Sequence, residues 1–342
     1  MENRTKILLI YTGGTIGMVK DYVTGALKAF DFKKLQKHIP ELNQLDCTID
    51  NISFDDPIDS SNMDIPHWVS IARTIGDNYG GYDGFVVLHG SDTMAYTSSA
   101  MGYMLENLAK PVIFTGSQLP IGDLRTDAKE NLITSIQIAA LRNGGEPAIQ
   151  EVCLYFEYKL YRANRTTKIN AEHFEAFASL NFPCLAESGV HLKVNYDRLW
   201  TGPKKKKLVV HTKLDNNVAI LKLFPGMNRA FLRGILKIEG LKALILETYG
   251  AGNAPTEPWL LQDLDAAIRS GLHIVNVTQC AKGSVAMGQY ETSRELGRMQ
   301  LINGKDITTE AAVTKLMYLL GSNVSAKLFK TIFETSLRGE MQ

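Results

Sequence analysis

Short apolar runs that end in glycine and hydroxyl residues constrain the fold of this chain most. "KILLIYT" (Lys6–Thr12), "YDGFVVLHG" (Tyr82–Gly90), "PVIFTGS" (Pro111–Ser117) and "EVCLYFEY" (Glu151–Tyr158) each read as a strand. Between them lie helical stretches. Ile65–Tyr79 has a proline in its first turn, and Thr93–Ala109 and Ala128–Asn143 place apolar residues near a 3.6-residue period. Strands alternating with helices predict a mostly parallel sheet flanked by helices, with ligands at the carboxyl ends of the strands.

The pattern pauses at "YDRLWTGPKKKK" (Tyr196–Lys207) and then resumes. Strands are expected at Asn217–Phe224, Lys242–Gly250 and His273–Gln279, with a helix over Thr256–Gly271 closed by its glycine. The expectation is a larger N-terminal α/β domain over 1–200, a linker over 201–212 and a smaller α/β domain over 213–342. A chain of 342 residues with 45% apolar and 21% charged residues can bury two such cores. The formal net charge of +1 gives no electrostatic case for nucleic acid or an acidic membrane surface. The basic run Lys204–Lys207 reads as a solvated loop. No apolar stretch reaches the roughly 20 residues a membrane helix needs. No signal peptide is recognisable, and the four cysteines are scattered, so a cytoplasmic setting is expected.

Several chemistries have no motif here. The chain has no G-x-x-x-x-G-K-[ST] loop, no G-x-G-x-x-G fingerprint, no H-E-x-x-H and no G-x-S-x-G elbow. The seven histidines have no ligand-like spacing and read as surface or satisfied core residues, so no metal is expected. What remains are hydroxyls and carboxylates at strand ends. "TGGTIG" (Thr12–Gly17) reads either as a plain turn or as a hydroxyl, Thr15, beside free backbone N–H groups. In "HGSDT" (His89–Thr93), Asp92 reads either as a helix cap or as the partner of a reactive Ser91. "DSSNM" (Asp59–Met63) carries the same ambiguity. Lys168 in "NRTTK" (Asn164–Lys168) is an ordinary surface lysine unless it meets Asp92, where it could relay a proton from a hydroxyl.

Taken together and in order, "YTGGTIGM", "DSSNM", "GFVVLHGSDTMAYT", "TGSQ" (Thr115–Gln118), "NRTTK" and "YGAGNAP" (Tyr249–Pro255) resemble the bacterial-type L-asparaginase family, in its cytoplasmic type I branch. The resemblance runs over nearly the whole chain. It implies a two-domain α/β fold, hydrolysis of L-asparagine to L-aspartate and ammonia, and no metal or cofactor. It implies Thr15 as nucleophile and Ser91, Asp92 and Lys168 as a second catalytic relay. Asp59, Ser60 and Ser61, with Ser91 and Asp92, would hold the α-carboxylate and α-amino groups of the substrate. Asn253 would serve a neighbouring subunit's site, so a homodimer or homotetramer is implied.

Three departures from the family pattern bear on these expectations. Ser91 stands where the family usually has threonine; the hydroxyl is kept, but serine turns more freely about χ1 than β-branched threonine. The family's lid tyrosine, which follows a glycine, is replaced by Ala26 after Gly25, leaving Tyr22 as the lid candidate. Thr278 and Cys280 match a regulatory asparagine site found in some type I enzymes, but Glu247 holds its arginine position. A carboxylate cannot pair with an amino acid's carboxylate as arginine does, so weak or absent cooperativity is expected.

Overall fold

A computed structural model describes residues 4–20, 27–29, 39–200, 206–288 and 296–342. The chain divides into two compact units, Met1–Thr212 and Lys213–Gln342. In the first, β1 (Thr5–Tyr11) pairs in parallel with β2 (Cys47–Ser53) on one side. On its other side lies β3 (Gly84–Leu88), then β4 (Val112–Thr115) and β5 (Val152–Phe156), all parallel. Three antiparallel strands, β6 (Lys159–Arg162), β9 (Ala186–Ser188) and β10 (Leu192–Val194), extend the sheet to eight. Two short strands, β7 (Thr167–Lys168) and β8 (Phe177–Ala178), form a separate antiparallel pair.

Burial explains why β1 and β3 form the spine. Ile7, Leu8, Leu9, Ile10, Phe85, Val86, Val87 and Leu88 have no exposed surface, so both faces of the sheet are covered. Alternate residues Ile7, Leu9, Tyr11, Val86 and Leu88 share one core with Leu132 and Ile136 of α3 (Ala128–Ala139). Each such side chain contributes roughly 1.5–3 kcal/mol relative to exposure.

Two further helices belong to this unit, α1 (Ile65–Asn78) and α2 (Met94–Met104). Asp64 opens α1 with a capping box closed by His67. Two helices end before their sequence periodicity does. α2 stops at Met104 because Leu105–Glu106 pair with Val209–Val210, inside the segment read as a linker. α3 stops at Ala139 because Gly144 and Gly145, both at positive φ, turn a small hairpin that pairs Arg142–Asn143 with Glu146–Pro147.

The second unit carries the parallel sheet β11 (Val218–Lys222), β12 (Ala243–Thr248), β13 (His273–Thr278) and β14 (Ile302–Asn303). α4 (Arg229–Leu236) and α5 (Pro258–Arg269) bury Leu232, Leu260 and Leu264 with Leu244 and Leu246 of its central strand. α6 (Thr309–Gly321) and α7 (Ala326–Glu334) complete it. Both units are thus α/β, the first larger with a mostly parallel sheet and the second with a parallel one, as expected from the sequence.

Register places the functional edge. Tyr11 lies opposite Leu88, and Leu88 opposite Thr115. The residues that follow each strand therefore leave the sheet side by side. The strand order β2-β1-β3-β4-β5 also reverses between β1 and β3, and open parallel sheets form their ligand crevice at such a reversal. Thr15 follows β1, and Ser91 and Asp92 follow β3.

Candidate active site

After β1 the chain turns sharply. Gly14 adopts φ +87°, and a Cβ there would stand 2.4 Å from the backbone nitrogen of Gly90, closer than any side chain tolerates. Glycine thus lets the β1 turn lie directly against the segment after β3. The turn is tied down: Thr12 N–H donates to Leu88 O at 3.0 Å, and the Thr12 hydroxyl to the same oxygen at 2.9 Å. Tyr11 lies beneath it and donates its hydroxyl to Gly14 O at 3.5 Å and Gly17 O at 3.3 Å. Burial pushes the Tyr11 phenol up to about 12, so it stays a donor. Thr15 opens the 3₁₀ turn Thr15–Gly17, directly after Gly14, and is partly exposed.

The segment after β3 carries the second group. The N-cap of α2 is Thr93, with no side-chain cap bond. The capping reading of Asp92 is thereby corrected: its carboxylate turns to Lys168 instead. Lys168 Nζ donates to Asp92 Oδ1 at 2.7 Å and to Ser91 Oγ at 2.9 Å. The lysine side chain is largely buried, 18% exposed, while the Asp92 side chain is open to solvent at 64%. Lys168 reaches the site because β7 pairs with β8 at the position Lys168 opposite Phe177. Residues more than 70 apart in sequence thus form one hydroxyl–ammonium–carboxylate chain.

"DSSNM" divides between two tasks. Asp59 caps the 3₁₀ turn Ser60–Asn62, accepting from Ser61 N–H at 2.9 Å and the Ser61 hydroxyl at 2.8 Å. Those two bonds hold its carboxyl below the usual range. Ser60 is buried against Gly90; a Cβ on Gly90 would stand 2.5 Å from Ser60 Oγ. Thr93 Oγ1 donates to Ser60 O at 2.7 Å. Asp59, Ser60 and Ser61 are therefore fastened to the same edge as Thr15, Ser91, Asp92 and Lys168.

The remaining candidates belong to the second unit or fall outside the described residues. Asn253 sits in the second unit, on the turn after β12, with reciprocal backbone bonds to Tyr249 at 2.8 Å. Thr278 is committed to that same turn: its hydroxyl donates to Gly250 O at 2.5 Å and accepts from Cys280 N–H at 3.0 Å. Cys280 is exposed. Glu247 accepts the Thr309 hydroxyl at 2.7 Å. Tyr22, the lid candidate, lies outside the described residues. Among the described residues no cluster of three or more His, Cys, Asp or Glu side chains could hold a metal ion, and no helix is long and apolar enough to cross a membrane.

Two site-edge residues carry more than the sequence reading gave them. His89, just before Gly90, is wholly buried, and its Nδ1 lies 2.7 Å from Gly90 O while Nε2 has no partner among the described residues. Burial pulls its imidazole down to about 4, so it is neutral, and the bond to a carbonyl makes Nδ1 the donor. Gln118, after β4, contacts Ser91 directly. Its motif "TGSQ" was visible, but neither charge nor periodicity marks a glutamine as part of a site.

Two adjacent parallel strands thus lead into Thr15 and into a serine–lysine–aspartate chain, residue types that hydrolases with a hydroxyl nucleophile use. Residues 6–200 match the family description "Asparaginase, N-terminal" and residues 217–333 "Glutaminase/Asparaginase C-terminal domain". The chain is 42% identical to L-asparaginase 1 of Escherichia coli, over 99% of its own length and 98% of that protein. The crystal structure of L-asparaginase I from Vibrio cholerae superposes with a TM-score of 0.90 at 39% identity, covering 99% of each chain. The thermostable L-asparaginase from Thermococcus kodakarensis superposes with a TM-score of 0.88 at 30% identity, again over 99% of each chain. The chain belongs to the asparaginase family.

Proposed function

We propose that this protein hydrolyses the side-chain amide of L-asparagine to L-aspartate and ammonia, with Thr15 as nucleophile. Thr15 Oγ attacks the amide carbon, and the tetrahedral oxyanion forms beside the backbone N–H groups of Gly90 and Ser91. Each such donor lowers a barrier by roughly 3–4 kcal/mol in comparable enzymes. The C–N bond breaks, the threonine proton passes to the leaving nitrogen, and ammonia departs from an aspartyl–threonine ester. Water then attacks the ester carbonyl and gives its proton to Thr15 Oγ as aspartate leaves. Ser91, Lys168 and Asp92 relay protons in these steps, and no cofactor takes part.

Asp59, Ser60 and Ser61 hold the α-carboxylate and α-amino groups of the substrate, the latter shared with Asp92. Asn253 of the partner subunit completes the site, which makes a homodimer the smallest active unit and a homotetramer its doubled form. The protein acts in the cytoplasm, in asparagine catabolism.

The observation that carries this reading is the pair of bonds from Lys168 Nζ to Ser91 Oγ and Asp92 Oδ1, at 2.9 and 2.7 Å. Ammonia release by the purified protein, alone, from asparagine and from glutamine tests it. Turnover of asparagine supports the reading; no release from either amide without an added partner protein refutes it.

A further inference from the structure

Gln118 occupies a singular place at the edge of the sheet. Its backbone is anchored from below: Gln118 N–H donates to both carboxylate oxygens of Asp127, at 3.1 and 2.9 Å, and Leu119 N–H to one of them at 3.1 Å. Asp127 is itself gripped by Asn131 Nδ2 at 3.2 Å, one turn along α3. The side chain then reaches across the crevice. Nε2 donates to Ala171 O at 3.3 Å and His173 O at 2.9 Å. Both carbonyls belong to the loop between β7 and β8, directly after Lys168.

Those two carbonyls settle which way the amide faces. Carbonyl oxygens only accept, so the NH₂ group must point at the loop and Oε1 must point the other way. Oε1 lies 3.4 Å from Ser91 Oγ, placed to accept that hydroxyl's proton. Lys168 Nζ donates to Ser91 Oγ at 2.9 Å, so the hydroxyl's own proton is left for Oε1. The contact is long, as catalytic hydrogen bonds often are until substrate binds.

We propose that Gln118 is a positioning residue that fixes the Ser91 hydroxyl, replacing by a hydrogen bond the steric restraint that a threonine methyl would supply. A serine side chain has little to stop it rotating between staggered wells. With Oε1 on one side and Lys168 Nζ on the other, only one well satisfies both. The same amide ties the loop behind Lys168, so donor and acceptor of the relay are set against each other by one side chain. This rests on the reading of Ser91 and Lys168 as a relay.

The test is a double-mutant cycle on asparagine hydrolysis between Gln118→Leu and Ser91→Thr, with Gln118→Glu as a variant that keeps an acceptor for the hydroxyl. Gln118→Leu in the native background is expected to lower kcat roughly tenfold, the worth of one hydrogen bond, with KM nearly unchanged. In the Ser91→Thr background the same change is expected to cost no more than about twofold, because β-branching already restricts the rotamer. Gln118→Glu is expected to keep more of the rate than Gln118→Leu. A purely structural role in the loop would cost the same in both backgrounds, and that result overturns the proposal, as does an unchanged kcat or a loss confined to KM. An inactive native protein would instead remove the relay reading and this proposal together.

Discussion

Replacing Lys168 by methionine separates catalysis from stability, and the structure sets the size of each effect. Lys168 Nζ is the only described cation bonded to both Ser91 Oγ and Asp92. Losing a positioned proton-transfer group costs roughly 10²–10⁴ in rate. The stability cost is small, because the Asp92 carboxylate left behind is 64% exposed and rehydrates. An ion pair with one partner in water is worth about 0–1 kcal/mol. For a unit of this size that moves a melting midpoint by no more than about 4 °C. The methionine also fills most of the space of the lysine stem, so packing is preserved. The assay pairs steady-state ammonia release with a thermal melt. The expected outcome is a large fall in kcat with a nearly native melt. In a Ser91→Ala background the lysine change should add little, since members of a relay fail as a unit. A variant that keeps more than a tenth of the native kcat refutes the reasoning. So does one that loses activity only in proportion to lost fold.

Other expectations follow from single groups. Rate against asparagine concentration should be hyperbolic, because Glu247 is a carboxylate already bonded to Thr309 and Thr278 is committed to Gly250; a sigmoidal curve contradicts this. His89 should make the fold acid-sensitive. Its native value of about 4 lies below its unfolded 6.5, so the unfolded chain binds more protons between those limits. Stability is then complete above about pH 6.5 and declines as pH falls toward 4, by up to about 3 kcal/mol. Melts across that window should show a steeper acid loss for the native chain than for His89→Asn, and equal slopes would remove the assignment. In the second unit, Lys315 and Glu340 form a pair with no exposed surface, the ammonium also donating to Phe333 O and Thr335 O at 2.6 and 2.7 Å. Lys315→Met should strand a buried carboxylate at a cost of roughly 3–5 kcal/mol, visible as a lower melting midpoint that Glu340→Gln partly restores.

The parallel core was legible because burial on both faces writes an unbroken apolar run, as in Ile7–Ile10 and Phe85–Leu88. β2 escaped notice for the opposite reason. It is an edge strand, Cys47–Ser53, whose outer side chains are polar, so its sequence does not announce a strand. The antiparallel strands β9 and β10 are three residues each and too short for any period to appear. At the site, the strand-end clusters were visible one by one, but nothing local joins Lys168 to Ser91 across 77 positions. Resemblance of the whole motif series implies that they meet, and β7–β8 pairing brings them together in the molecule. Asp92 read equally well as a cap, since a carboxylate ahead of a helix has the same local sequence in either role; only its bond to Lys168 distinguishes them. Gln118 and His89 lie inside quoted motifs, but nothing local gave either a role, because their importance lies in which backbone carbonyls and hydroxyls the fold sets beside them.

Thr15, in the turn after β1, is the proposed attacking group. Ammonia release from asparagine by the native protein and by Thr15→Ala, at matched folded concentration, tests that most directly. Turnover by the native protein is expected, with a loss of at least roughly a thousandfold in kcat without the Thr15 hydroxyl. A Thr15→Ala protein that keeps a rate within about tenfold of native would contradict it.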